Sequence, residues 1–528
     1  MGNKKLQVWL PLLFSIVMIG GMFFGFKMKN QIGDNGFFKT EKRGSFQEAL
    51  DLIKQKYVDS IGVDTLQERA IQDVVSELDP HSVYIPPTNL QEVNDDIMGR
   101  FEGIGVEFNI FSDTVNIVYV IPGGPSDKAG LQVGDRIIKV NDSLIVNKDF
   151  GTDDIKKIIR GEDGSAVALT IFRSGKQQVI SVKRGTIPVS SVDAAYIIDT
   201  ATGYIKLNKF SDNTYHDFME NLERLQKEGM KKLILDLRGN GGGFMGEAVN
   251  MADEFLDANK LIVYTQGNSS PKEEFRARRE GLFEQGKLVV LVDELTASAS
   301  EVLAGALQDW DRALIIGRRT FGKGLVQKQY SLNDGSAIRL TIARYYTPLG
   351  RSIQRPYDKG KKVYMDEIWH RYETGEMLYA DSNKVSKGKE YITPGKRIVY
   401  GGGGIMPDLF VSIDTNGIRR SITRLYLDGS FNNFVYNYYV KHMEEFKQYV
   451  NPSDFAKRYN SNDAWTQLNS FAKKDTVELK YISSKDSDDI KRRLKAYLAR
   501  YKWRNEGFYE LLNNDDPVIK KALEVMAK

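Results

Sequence analysis

Between Gly203 and Tyr346, short apolar runs bounded by turn residues alternate with stretches of helical periodicity. The runs Tyr204–Phe210, Leu233–Leu237, Leu261–Thr265, Leu288–Val292, Ala313–Ile316, Val326–Tyr330 and Ile338–Tyr345 have the length and composition of strands. The segments Thr214–Lys227, Gly246–Leu256 and Ser298–Trp310 have the length of helices. Continuous apolar strands need cover on both faces, so this alternation dictates an α/β layered domain.

The flanks differ in texture. Leu6–Phe26 is 21 uncharged residues between Lys4–Lys5 and Lys27. As a helix it spans a hydrocarbon core of roughly 30 Å. No small-x-small cleavage site follows it, so residues 1–28 are expected to anchor the chain in a membrane. Basic residues on both sides leave its orientation unset by charge. Gly21 and Gly25 have GxxxG spacing, a pattern that can pair helices into a homo-oligomer. After a polar linker, Phe46, Ala49, Leu50, Ile53 and Tyr57, then Leu66, Ala70, Val74 and Leu78, predict two amphipathic helices.

From Phe101 to Arg184 short strands alternate with glycine turns, opening on Gly103-Ile-Gly-Val-Glu-Phe108. Clustered glycines free backbone N–H groups to hold a carboxylate, and the strand beside them offers an edge to a peptide. Beyond Asp408 the chain turns helical and aromatic, with helices expected over Asn432–Val450 and Asp488–Arg504 and a last one opened by Asp516–Pro517.

Composition narrows the chemistry. The 74 basic and 70 acidic residues leave a net charge of +4, without the basic excess of a nucleic-acid binder. Cysteine is absent, which removes disulfides, zinc thiolates and a thiol nucleophile. His81, His216, His370 and His442 are scattered, with no metal-ligand spacing, so no metal or other cofactor is called for. A nucleophilic hydrolase built from this chain needs a base other than histidine.

The run Leu288–Val292 leads through a turn to a helix starting near Ser298, which sets a hydroxyl where free N–H groups and the helix dipole favour an oxyanion. Taken alone, the same serine also reads as a helix N-cap. Twenty-five residues later, in Thr320-Phe-Gly-Lys-Gly324, Lys323 has apolar neighbours and no adjacent acid. Desolvation there would lower its pKa and let it act as a base. Gln327 shares its face in an extended segment and can orient the amine. Two other glycine patterns fail. Gly317-x-x-x-x-Gly322-Lys323 lacks the Ser/Thr of a P-loop, Gly324 standing there instead, and Gly241-x-Gly243-x-x-Gly246 lacks the acid after the next strand.

Two resemblances follow. Gly103–Val106 and the run Pro125-Ser-Asp-Lys-Ala-Gly-Leu131 with Gly134–Asp135 resemble a PDZ domain. Asp236-Leu-Arg-Gly-Asn-Gly-Gly-Gly243, Ala297-Ser-Ala-Ser-Glu301 and Phe321-Gly-Lys-Gly-Leu-Val-Gln327 resemble the C-terminal processing, or tail-specific, proteases.

The resemblance implies a serine endopeptidase with Ser298 as nucleophile, Lys323 as general base and Gln327 in support. It also implies an oxyanion hole from the N–H groups of Ala299 and Gly242, and a tail site at Gly103, Ile104, Gly105 and Val106. Substrates would be polypeptides with apolar C-termini. The enzyme would sit in a bacterial inner membrane as a single-pass protein with its catalytic body in the periplasm. Gly241 stands where many relatives have proline, and Glu301 holds a shared position without an assigned role.

The expected organisation is an anchor (1–28), a linker with helices (29–95), a PDZ domain (96–185), an α/β protease core (186–412) and a helical C-terminal extension (413–528). Asp358–Lys396 does not match the family core and reads as an insertion in it. The rival reading is a PDZ scaffold with an inactive core, against which the intact Ser298, Lys323 and Gln327 argue.

Overall fold

The computed structural model describes residues 4–31, 44–111, 113–146, 150–379, 388–413, 420–427, 429–473, 477, 479 and 482–528. Residues 1–73 and 74–528 form separate compact units. In the first, helix Lys4–Gln31 contains Trp9–Lys27, long and apolar enough to cross a membrane. The helices Ser45–Lys56 and Val63–Ser76 lie where the sequence expects two.

The second unit is built on a six-stranded sheet in the order Val192–Ile197, Thr202–Leu207, Lys232–Asp236, Lys287–Val292, Leu314–Gly317 and Leu409–Phe410. The first pair is antiparallel and the rest are parallel. Side chains alternate between the faces. Leu233, Leu235 and Val290 pack against the helices Thr214–Lys227, Met245–Asp253 and Ala299–Asp309, whereas Ile234, Val289 and Leu291 face the other way. There they meet Val518, Ile519, Ala522 and Met526 of the last helix, Pro517–Ala527.

The end of the chain is therefore a layer of the α/β core and not only part of a separate extension. The Asp516 side chain caps this helix by accepting from the Val518 and Ile519 N–H groups. Its other carboxylate oxygen lies 2.7 Å from Arg238 of the Asp236-Leu-Arg motif. Burial alone would raise the Asp236 pKa, but Arg238 and Lys206 hold it well below the usual carboxylate range.

Because the central strands are parallel and in register, Asp236, Val292 and Gly317 end on one edge of the sheet. The loops leaving that edge carry Gly242, Ser298 and Lys323, as is usual for sites in open α/β sheets. A second sheet pairs Ala337–Tyr346 with Val83–Ile85, Leu261–Gln266 and Leu325–Ser331, the last of which carries Gln327.

A third sheet has the order Val106–Phe111, Thr114–Val120, Arg136–Val140, Ala166–Arg173, Lys176–Lys183, with the helix Thr152–Ile159 beside it. Among the described residues Val106–Phe111 pairs with a single strand, which leaves its other side as an open edge. The extension gathers Phe431, Phe434, Tyr439, Phe446 and Phe455 into an aromatic core of its own. Its long helix Ser484–Asn513 breaks at Trp503 and Arg504, the latter at φ 60°. The helix expected over Asp488–Arg504 thus ends at the break, and a second stretch continues to Asn513.

Candidate functional site

Ser298, Ala299, Gly242, Lys323 and Gln327, which come from three separate stretches of sequence, all line one cleft of about 640 Å³. Asp96 and Met98 of the helix Pro87–Met98 line it as well, with Arg339.

Ser298 precedes the helix Ala299–Asp309 and adopts φ 55° and ψ −118°, a conformation that serine avoids unless its surroundings enforce it. Its N–H donates to Glu301 Oε2 at 2.8 Å. Ala299 is the first helical residue, so its N–H has no partner within the helix and lies beside the serine. Gly242, at φ +91°, presses so close that a Cβ there would lie 2.6 Å from Ala297 O and 2.8 Å from Ala299 N. Only glycine fits. The Gly242 N–H, however, donates to Asn240 Oδ1 at 2.9 Å, so in this conformation it is engaged and not open to an oxyanion. Ser300 is turned away, its hydroxyl donating to Asn240 O at 3.0 Å.

Lys323 Nζ donates to Gln327 Oε1 at 3.0 Å, and Gln327 Nε2 donates to the His81 carbonyl. Burial, then the Arg339 charge, lowers the Lys323 pKa, while Asp79 and Glu301 oppose the shift. Among the described residues no hydrogen bond joins Ser298 Oγ to Lys323 Nζ, the looseness common in sites without substrate.

Sequence reasoning left Glu301 without a role and missed Tyr345. Glu301 is fully buried. Its Oε2 accepts from the N–H groups of Ser298 (2.8 Å) and Lys323 (2.9 Å), and its Oε1 from Gly322 N–H (2.8 Å) and the Thr320 hydroxyl. Burial pushes its pKa up to about 7 against the pull of these donors. The Tyr345 hydroxyl lies 3.0 Å from Ser298 O and 2.6 Å from Lys323 O. The Ser-x-x-Glu spacing of a capping box was the available signal for Glu301. For Tyr345 there was none, since only the fold brings it near.

His81, one of the four scattered histidines, lies beside the lysine and its glutamine. Burial and the Lys323 charge push its imidazole down to about 4, so the ring is neutral. Its Nε2 is 2.9 Å from the Tyr364 hydroxyl and its carbonyl holds Gln327. Tyr364 belongs to the helix Lys361–Glu373, inside the segment read as an insertion. From that helix Arg371 donates to Thr320 O at 2.8 Å and Arg319 O at 3.1 Å. The insertion thus supports the loop that carries Lys323.

The Gly103–Val106 loop lines a second groove of about 350 Å³, between the open edge strand and the helix Thr152–Ile159. Gly105 takes φ +74°, and the carbonyls of Ile104 and Gly105 accept from Ser126 N and Ile121 N, each at 3.0 Å. Ile104 is buried in the core of this domain and forms the groove's floor.

Residues 201–360 match peptidase family S41, residues 117–173 match the PDZ domain, and residues 421–504 match a family of unknown function. The chain is 34% identical over 357 residues to the carboxy-terminal processing protease CtpA of Bacillus subtilis (strain 168), covering 67% of this chain and 73% of that one. A probable CtpA-like serine protease of Staphylococcus epidermidis (strain ATCC 12228 / FDA PCI 1200) is 35% identical over 304 residues, 57% of this chain and 61% of its own. Among solved structures, the photosystem II D1 C-terminal processing protease matches at 29% identity and a TM-score of 0.34, over 58% of this chain and 89% of that one. On the match to family S41 and the identity with CtpA, the chain belongs to the C-terminal processing peptidases, serine-type proteases that carry a PDZ domain.

Proposed function

We propose that this peptidase works through a Ser298–Lys323 dyad on polypeptides captured by their C-terminal tails. The observation that carries the reading is the buried Lys323 amine, held by Gln327 and with no carboxylate ion pair among the described residues, in the same cleft as the strained Ser298. Neutral Lys323 takes the proton from Ser298 Oγ as the oxygen attacks the scissile carbonyl carbon. The oxyanion that forms accepts from the Ala299 N–H, and from the Gly242 N–H once its bond to Asn240 opens. Collapse breaks the C–N bond, and the Lys323 ammonium returns its proton to the leaving amine. A water molecule, deprotonated by the same lysine, then attacks the Ser298 ester, and its acyl C–O bond breaks as Lys323 returns the proton to Ser298 Oγ.

The open edge strand Val106–Phe111 supports tail capture, because an extended peptide can pair with it while its carboxylate meets the Gly103–Val106 loop. The floor of Ile104 and Val106 suits an apolar last side chain. The helix Lys4–Gln31 supports a single-pass anchor, which we assign to a bacterial inner membrane with the body on the periplasmic side. Protease added to spheroplasts should digest the body, and protection from it would place the body in the cytoplasm.

A peptidase assay checks both halves of the catalytic reading. Ser298→Ala should lose roughly four orders of magnitude or more in kcat, while Ser300→Ala retains much of it. Amidating the substrate's C-terminus should lower kcat/KM with Ser298 chemistry intact. Near-normal turnover by Ser298→Ala would remove the dyad, equal kcat/KM for free and amidated substrates would remove tail reading, and no turnover by any form would favour the inactive scaffold.

The second check is the pH profile. Activity requires neutral Lys323, so kcat/KM should rise with pH through a value below that of an ordinary lysine. Arg339→Met removes a positive charge that disfavours the ammonium. The lysine pKa should then rise, and the ascending limb should move to higher pH. A limb that stays put or moves down would contradict the assignment of Lys323 as base.

A further inference from the structure

The groove beside the open edge strand is not made by the PDZ domain alone. Arg500, from the helix Ser484–Asn513 of the extension, lines it together with Glu107, Asn109 and Lys156. The extension is fastened to this place. Arg504, at the helix break, forms a two-pronged pair with the Glu107 carboxylate and lies 3.5 Å from the Tyr119 ring centroid. Tyr436 donates its hydroxyl to Ile117 O at 3.1 Å and packs on Phe111 at 5.4 Å between centroids.

The other cations at the groove are already occupied. Lys156 pairs with Asp153 at 3.0 Å, and Arg160 stacks over Phe101 at 5.0 Å. Arg500 gives its Nε–H to Asn505 at 3.1 Å, but its Nη2 stands 4.0 Å from Glu107 Oε2, beyond hydrogen-bond distance. Glu107 is held by Arg504, so Arg500, at the limit of ion-pair distance from it, is a half-exposed guanidinium whose terminal nitrogens make no hydrogen bond among the described residues.

Strand alternation fixes what such a guanidinium would meet. Val106, Phe108 and Ile110 point to the PDZ core, so Glu107 and Asn109 point to the face where Arg500 stands. A peptide paired with this edge alternates in the same way. If its last side chain enters the groove, the penultimate one, and the one two residues before it, face Arg500.

We propose that the extension is the outer wall of the tail site and that Arg500 makes the enzyme select tails with an acidic side chain at those two positions. The proposal rests on the tail reading given above. It assigns to the region of unknown function the reading of the residues just before the terminal one.

The test uses the full-length chain carrying Ser298→Ala, so that peptides bind uncut. Fluorescent peptides share an apolar last residue and carry Asp or Lys at the two positions, each with a free or an amidated C-terminus. The measured quantity is the ratio of the Lys-tail Kd to the Asp-tail Kd, which cancels any general loss of affinity. With free C-termini the ratio should be roughly threefold to tenfold, about what a half-exposed ion pair yields, and should shrink with added salt. Arg500→Ala should bring it to about one, and Arg500→Glu below one. If free tails outbind amidated ones but the ratio is the same in all three proteins, the Arg500 proposal is overturned and tail reading stands. If free and amidated tails bind equally, both are overturned.

Discussion

The Glu301 carboxylate is buried among four donors, and two of them belong to the residues of the proposed dyad, Ser298 and Lys323. One oxygen, Oε2, takes both of those backbone N–H groups, and the Tyr345 hydroxyl bridges the two matching carbonyls. The start of one helix and a loop from the next strand are thereby held in fixed relation without any bond between the Ser298 and Lys323 side chains. Removing the carboxylate would strand several buried N–H groups at a cost of about 1–3 kcal/mol each. It would also release the positive φ of Ser298, a conformation that only a surrounding network can hold. The burial of Lys323 itself lowers its pKa, and does so against the opposing charge of Glu301.

The clamp in turn depends on the sheet beneath it. Parallel strands in register deliver three loops to one edge, and the sheet is covered on both faces. The second cover comes from the last helix, which Asp516 ties to Arg238 and through it to Asp236. Further up the extension, Asn505 donates to Asp193 of the core sheet at 2.8 Å, and Arg504 pairs with Glu107 of the PDZ domain. The extension therefore contacts the sheet and the groove beside the open edge strand along a single run of chain, so the PDZ domain is held by more than its own connections.

Much of this was legible in the sequence because it was written in local pattern. Apolar runs bounded by turns gave the strands of the core, and glycine placement gave the loops that only glycine can form, as at Gly242. Ser298, Lys323 and Gln327 were found by motif and spacing, and the fold brings them to one cleft. What was hidden depended on distant contacts. Tyr345 and the carbonyl of His81 reach the site from other strands and loops, and the helix Lys361–Glu373 is far away in sequence from the loop it supports. The partner of the Gly242 N–H was equally unreadable, since Asn240 can turn its side chain in many directions. Nor does an amphipathic pattern say what covers it, so Pro517–Ala527 read as extension although it closes the core.

The claim that carries the account is that Ser298 is made nucleophilic by Lys323. A peptidyl phosphonate ester, which reacts only with an activated serine, tests it directly when the adduct is mapped by mass spectrometry. The account predicts a single adduct on Ser298 in the parent enzyme and none in Lys323→Ala, where the same serine remains in place. An adduct on Ser300 or any other residue, or undiminished labelling of Ser298 without Lys323, would contradict it.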